Sequence, residues 1–234
     1  METRVDKAEI IEPAAGATAL LIIDMINDLQ FSDADAMRLK VLKAAEAILR
    51  LRNEADRAGV PTVYVNDNFG QWHSEKSRLV EHVRQADPDA AALADRIGPR
   101  PNDYFVIKPQ FSGFYATNLP VLLPQLKASR VILTGVAADI CVLFTAADAH
   151  MRQYDIWVPS DAVASPDDQR TEWALEIMRN AMSAETRATS DLPLGSGLIA
   201  RRARRRRGLW RRGRPSGIDH SGWRRAASPS ACRT

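Results

Sequence analysis

Cysteine is nearly absent: the 234-residue chain holds two, Cys141 and Cys232. Two thiols cannot build the disulfide framework that small secreted domains depend on, so both are expected to be reduced. Histidine is scarce as well, and His73, His82 and His150 show no ligand spacing, so no metal or other cofactor is expected. No run of 18 or more apolar residues occurs, which excludes an ordinary helical membrane span. The opening segment METRVDKAEIIEPAAGA lacks the basic-then-apolar order of a secretory signal. A soluble, cytoplasmic protein is the expectation.

The net charge of +3 conceals a division. Of 32 Lys and Arg, twelve fall in residues 201–234, together with one of the 29 acids, Asp219, so that tail carries +11 and residues 1–200 carry −8. An acidic body gives no sign of nucleic-acid binding, and any such partner would have to be held by the tail. After Leu194 the chain has no sustained apolar period and is rich in Arg, Gly, Ser and Pro. The reading is a body of residues 1–194 and an Arg-rich, unfolded tail of residues 195–234. Six Arg within residues 201–207 would suit an anionic surface, but a solvated appendage is the simpler account.

What is present is an alternation of short apolar runs with helix-period segments, the pattern of βα units around a parallel sheet. Strands are expected at 18–24, 61–67, 103–109, 130–136 and 155–163, with ETRATS at 185–190 as a final edge strand. Helices are expected over 33–58, 74–86, 119–128, from 138 or 139 to 153, and from 167 or 168 to 182, with Pro88 breaking the chain. The sum is a three-layer α/β/α, doubly wound domain with a mainly parallel six-stranded sheet.

In such a sheet ligands bind beyond the carboxyl ends of the strands. LLIID closes with Asp24, YFVIK closes with Lys108, and VILTGVAAD leads into the helix that carries Cys141 in its first turn. A lone Cys in an alanine-rich helix is ordinarily buried filler. An acid, an amine and a thiol on one rim reverse that reading, because together they are the parts of acyl transfer through a thioester. A helix N-terminus and the Lys108 ammonium would stabilise a thiolate. Asp24 would move the protons, with Asp28 its competitor for that role. The turn at Gly135–Ala138 would aim backbone N–H groups at an oxyanion. Phe31, Trp72, Phe111, Phe114 and Tyr115 lie in rim loops where they would wall a pocket for a small planar substrate, and Asn68 and Gln71 would hydrogen-bond it.

LLIIDMINDLQF, VYVNDNFGQW, VIKPQFSGFYATNL and LTGVAADICVLFTAADAHMRQYDIWVPSDAVAS, in this order and spacing, resemble the isochorismatase-like cysteine hydrolases, which include nicotinamidases and N-carbamoylsarcosine amidases. The resemblance covers residues 15–192. It implies that the catalytic Asp, Lys and Cys are Asp24, Lys108 and Cys141, that Val136–Ala137 is a non-proline cis peptide, and that the N–H groups of Ala137 and Cys141 form the oxyanion hole. It also implies a homo-oligomer. Metal-dependent nicotinamidases have an Asp-x-His after the second strand, where this chain has Asp67-Asn68-Phe69, so no metal site is carried over. Retention of Cys141 favours a small amide or carbamoyl substrate. The alternatives are an isochorismatase-type vinyl-ether hydrolase, which needs no acyl-enzyme, and a non-catalytic scaffold with an anion-binding Arg tail.

Overall fold

The structure, a computed structural model, describes residues 17–28, 34–70, 75–86, 88–191 and 194. They all belong to one compact unit. Phe31, Gln71, Trp72, His73, Cys232 and the Arg-rich segment singled out above lie outside the described residues.

The elements run β1 (Ala17–Ile23), α1 (Ala34–Arg57), β2 (Thr62–Asp67), α2 (Lys76–Ala86), α3 (Pro88–Ile97), β3 (Tyr104–Lys108), α4 (Leu119–Gln125), β4 (Ala128–Val136), α5 (Leu143–Met151), β5 (Asp155–Trp157), β6 (Val163–Ala164) and α6 (Asp168–Ala181). The strands order as β3-β2-β1-β4-β5, with β6 also on β4, and every pairing is parallel. The chain therefore winds outward from β1 in both directions, and the reversal falls between β1 and β4. Both faces of β1 are buried, as its unbroken apolar run requires. Ala19, Leu21 and Ile23 pack in one core with Leu119, Leu123, Val142, Ala146, Leu175 and Met178 of the segments from α4 to α6. Leu20 and Ile22 point the other way and are equally buried, as are Val41, Ala45, Ile48 and Leu51 of α1. Each such Leu or Ile contributes on the order of 1.5–3 kcal/mol.

Three local expectations are corrected. Pro88 does not simply break the chain; it is the first residue of α3, a position where a missing N–H costs nothing and its fixed φ suits a helix. The strand expected over 155–163 is two pieces, β5 and β6, separated by a single 3₁₀ turn at Ser160–Ala162 that follows Pro159. ETRATS is not an edge strand. Glu185 bridges Trp157, but its side chain then accepts the N–H groups of Thr186 and Arg187, and Thr189 bonds Asp161, so those donors have no ladder to join. The sixth strand is β6.

Gly135 decides how closely β4 approaches β1. Its φ is +108°, and a Cβ there would stand 2.0 Å from the Ile23 carbonyl oxygen. Gly135→Ala is expected to lower stability by roughly 3 kcal/mol, from backbone strain and overpacking together. A urea midpoint equal to that of the parent would refute this account of the approach.

Candidate active site

Four strand ends meet at the carboxyl edge of the sheet. Asp24 follows β1 directly and extends its ladder by one step, its N–H donating to Val65 at 3.0 Å. The residue has φ +51°, a left-handed conformation that Asp tolerates better than most residues and that ends the strand. Its Oδ1 accepts the Asp67 N–H at 2.7 Å, while its Oδ2 lies 2.9 Å from Lys108 Nζ. Asn66 fixes the loop that follows, accepting from the Ile26 N–H at 3.1 Å and donating to the Ile26 carbonyl at 2.9 Å.

Lys108 closes β3 and is sealed from solvent. Its ammonium also lies 3.5 Å from Asp67 Oδ2 and 3.5 Å from Cys141 Sγ, and Cys141 in turn hydrogen-bonds Asp24. The structure thus brings Asp24, Lys108 and Cys141 together, and adds Asp67 as a second carboxylate on the same ammonium. After the cis Val136–Ala137 peptide, Cys141 sits in a π-helical turn, Ala138–Val142, in which Val142 N–H reaches back to the Ala137 carbonyl at 3.1 Å. The α-helix begins only at Leu143, so the expectation of Cys141 in the first turn of an α-helix is corrected to a wider turn preceding it. Thr145 Oγ1 donates to the Cys141 carbonyl at 2.7 Å and ties that turn to α5.

Burial pushes the Asp24 carboxyl above its ordinary range, although Lys108, Cys141 and the Asp67 N–H all pull it down. Burial would lower Lys108, but Asp24, Cys141 and Asp67 outweigh it and hold the amine above its usual value. Burial, reinforced by the Asp24 charge, pushes the Cys141 thiol up to about 12 against the pull of Lys108. Lys108 pulls the thiol down, as the sequence implies, but burial and the Asp24 charge outweigh it. The local rule counted the ammonium and the helix end and omitted desolvation and the adjacent carboxylate. Burial and the Asp24 charge both favour the thiol over the thiolate, and the adjacent base is Asp24.

A cavity of about 590 Å³ opens over these groups, lined by Asp24, Asp67, Val136, Ala137, Ile140 and Cys141, with Asn27, Asp28, Met37, Phe69, Phe111, Pro166 and Arg170 around them. Phe111 is in this lining and rests on Phe144, with ring centroids 5.6 Å apart. Phe114 is instead core, buried beneath Arg152, whose guanidinium carbon is 4.8 Å from the ring centroid. Tyr115 is exposed and Asn68 is buried, its Oδ1 accepting the Gly70 N–H; neither is among the described residues that line the cavity. Asp28 does not join the central cluster as a base; it pairs with His82 Nε2 at 3.1 Å, and His82 lies against Phe69. Phe69 stands where the Asp-x-His pattern of metal-dependent nicotinamidases places a histidine, so the residues present do not fit such a metal. Among the described residues no three His, Cys, Asp or Glu are grouped to hold one.

Sequence reasoning missed Asp67, Asp139, Ser165 and Arg170. Asp67 ends β2 just as Asp24 ends β1, and the same strand-end rule would have found it. Asp139 sits two residues before Cys141, and Arg170 reaches it from the first turn of α6.

Residues 18–190 match the family model of the Isochorismatase domain. The uncharacterized isochorismatase family protein YaaI of Bacillus subtilis (strain 168) is 41% identical over 168 residues, which is 71% of this chain and 91% of that protein. Ureidoacrylate amidohydrolase RutB of Stutzerimonas stutzeri (strain A1501) is 27% identical over 188 residues, covering 67% of this chain and 73% of that protein. The crystal structure of N-carbamoylsarcosine amidase from Thermoplasma acidophilum superposes with a TM-score of 0.59 at 28% identity, over 75% of this chain and 98% of that one.

Proposed function

The chain belongs to the isochorismatase family of hydrolases, and we propose that it is a cysteine-dependent amidohydrolase that cleaves a small amide or carbamoyl C–N bond through a thioester. The observation that carries this reading is the meeting of Cys141 Sγ and Asp24 Oδ2 on one buried ammonium, at 3.5 and 2.9 Å from Lys108 Nζ, beneath a cavity of small-molecule size. The names of the amidohydrolase and amidase relatives support the bond class.

Asp24, its basicity raised by burial, takes the proton from Cys141 as Sγ adds to the substrate carbonyl carbon. The negative charge moves from the carboxylate to sulfur and then to the carbonyl oxygen. Lys108 lies beside the first two positions, so proton transfer changes no net charge within the cluster and leaves no isolated buried charge. The N–H groups of Ala137 and Cys141, both at the cavity wall, receive the oxyanion. As the C–N bond breaks, protonated Asp24 gives its proton to the departing nitrogen. The carboxylate then deprotonates a water that attacks the thioester, and the thiol is restored.

The test is a panel of small amides, carbamoyl amino acids and isochorismate, read by ammonia release and by intact-protein mass spectrometry. An acyl adduct on Cys141 with at least one ammonia-releasing compound is the expected result. Ammonia release without an adduct at any time point, or turnover of isochorismate alone, would overturn the reading.

A further inference from the structure

We propose that Arg170 is the recognition site for a carboxylate on the non-reacting end of the ligand, which makes the favoured substrate an amide or carbamoyl compound that also carries an acid group. That the ligand is a substrate rests on the amidohydrolase reading; the subsite itself rests on the geometry of Arg170.

Among the described residues that line the cavity, Arg170 is the one cation; the others with charge are Asp24, Asp28 and Asp67. Those acids are already engaged. Asp24 and Asp67 share Lys108, and Asp28 pairs with His82. The partner of Arg170 is Asp139, which is not among the lining residues. The manner of that hold matters. Nε, at 2.6 Å, and Nη2 both approach the same oxygen, Oδ2. The other oxygen, Oδ1, accepts the Ser165 hydroxyl at 2.5 Å, and Ser165 is itself fully buried, with its N–H on Thr171 Oγ1 at 3.0 Å. Asp139 cannot turn to take a second edge of the guanidinium.

A guanidinium has five N–H groups in a fixed fork. The side-on edge, Nε with one hydrogen of Nη2, is occupied by Asp139. The end-on edge, formed by Nη1 and the second hydrogen of Nη2, has no acceptor among the described residues. That edge matches a carboxylate bidentately, and the side chain is 39% exposed. Its rotamer is fixed before a ligand arrives, so little side-chain entropy is lost on binding.

A competing account confines the Arg170–Asp139 pair to bracing α6 against the turn that carries Cys141. The two separate in a binding experiment on the full-length chain. The protein carrying Cys141→Ala is titrated calorimetrically with N-carbamoylglycine, N-carbamoyl-β-alanine and succinamate, and with the methyl ester of each; the series is repeated with Arg170→Gln and with Arg170→Lys added. At least one acid should bind about ten- to a hundredfold more tightly than its ester, the range of a charged hydrogen-bonded pair. Arg170→Gln should bring that ratio close to one through loss on the acid side, and Arg170→Lys should keep part of it, as a point charge without the fork. Equal binding of acid and ester, no binding of any acid, or a fall in both affinities that preserves the ratio would overturn the proposal. Ammonia release by the protein with Cys141 intact is read separately. Equal turnover of acids and esters leaves the amidohydrolase standing without the subsite, whereas acid-selective binding without any ammonia release keeps the subsite and sinks the amidohydrolase.

Discussion

Cys141→Ala is expected to abolish amide turnover, a loss of roughly 10⁴-fold or more, because the variant has no atom to form the acyl-enzyme and retains only binding and oxyanion stabilisation. The fold should survive. Cys141 packs at the margin of the core and supplies no hydrogen bond that holds an element in place; Thr145 uses its carbonyl, which remains. Loss of one sulfur from a partly buried site costs on the order of 1 kcal/mol. Removal of the thiol also leaves the Asp24–Lys108 pair intact at 2.9 Å, so no buried charge is stranded. A circular-dichroism spectrum and a urea midpoint close to those of the parent, combined with absent ammonia release, is the predicted pair of results. Isochorismate turnover that persists in the variant would point to vinyl-ether hydrolysis, where Asp24 and Lys108 suffice, whereas ammonia release that persists would sink the thioester route. A parent that turns over nothing on the panel would favour the non-catalytic scaffold.

The parts of this site that were legible in the sequence are those that a strand end announces. Asp24 terminates LLII and Lys108 terminates YFVI, and a charged side chain directly after a buried apolar run has few places to go except the rim of the sheet. Cys141 acquired meaning only from those two, across long sequence separations. Asp67 is equally legible, since it closes β2 as Asp24 follows β1. Arg170 is not. It lies in an ordinary amphipathic helix, and nothing local distinguishes it from Arg179 on the same helix, whose Nε meets Thr186 Oγ1. Its placement depends on Asp139 and Ser165, three residues on three segments whose meeting is a tertiary fact. The fold followed the same division. Periodicity locates every helix core but that of α3, and the five longer strands; Pro88 reads as a stop although it opens α3, and the apolar-polar pattern of ETRATS is indifferent to which partners its N–H groups find. The balance of forces on Cys141 is only half legible for a related reason. Helix-end and ammonium effects can be read from neighbours in sequence, whereas desolvation is a property of the packed whole.

That balance leads to the second large effect. Asp24→Asn is expected to reduce turnover by about 10²- to 10⁴-fold, the range for loss of a general acid–base group, while making Cys141 more acidic. The two changes have one cause. In the parent, the Asp24 carboxylate raises the thiol by its charge and by accepting its hydrogen bond, adding to burial to bring it to about 12, with Lys108 opposing them. The amide removes the charge and leaves Lys108 at 3.5 Å from sulfur. Asp67, 3.5 Å from the same ammonium, remains as its anionic partner, so the lysine is not left unpaired. Burial is the largest cause and persists, so the thiol should fall from about 12 without reaching the value of a solvated cysteine. Alkylation of Cys141 by iodoacetamide between pH 7 and 9 reads this directly: it should be slow in the parent and rise with pH across the whole interval, and it should be faster at every pH in the variant. An unchanged or slower alkylation rate would mean that Asp24 does not hold the thiol neutral. A variant that alkylated faster and also kept its turnover would show that the proton leaves Cys141 by a route other than Asp24. Only loss of turnover together with a more reactive sulfur fits a nucleophile kept protonated by the same carboxylate that later removes the proton.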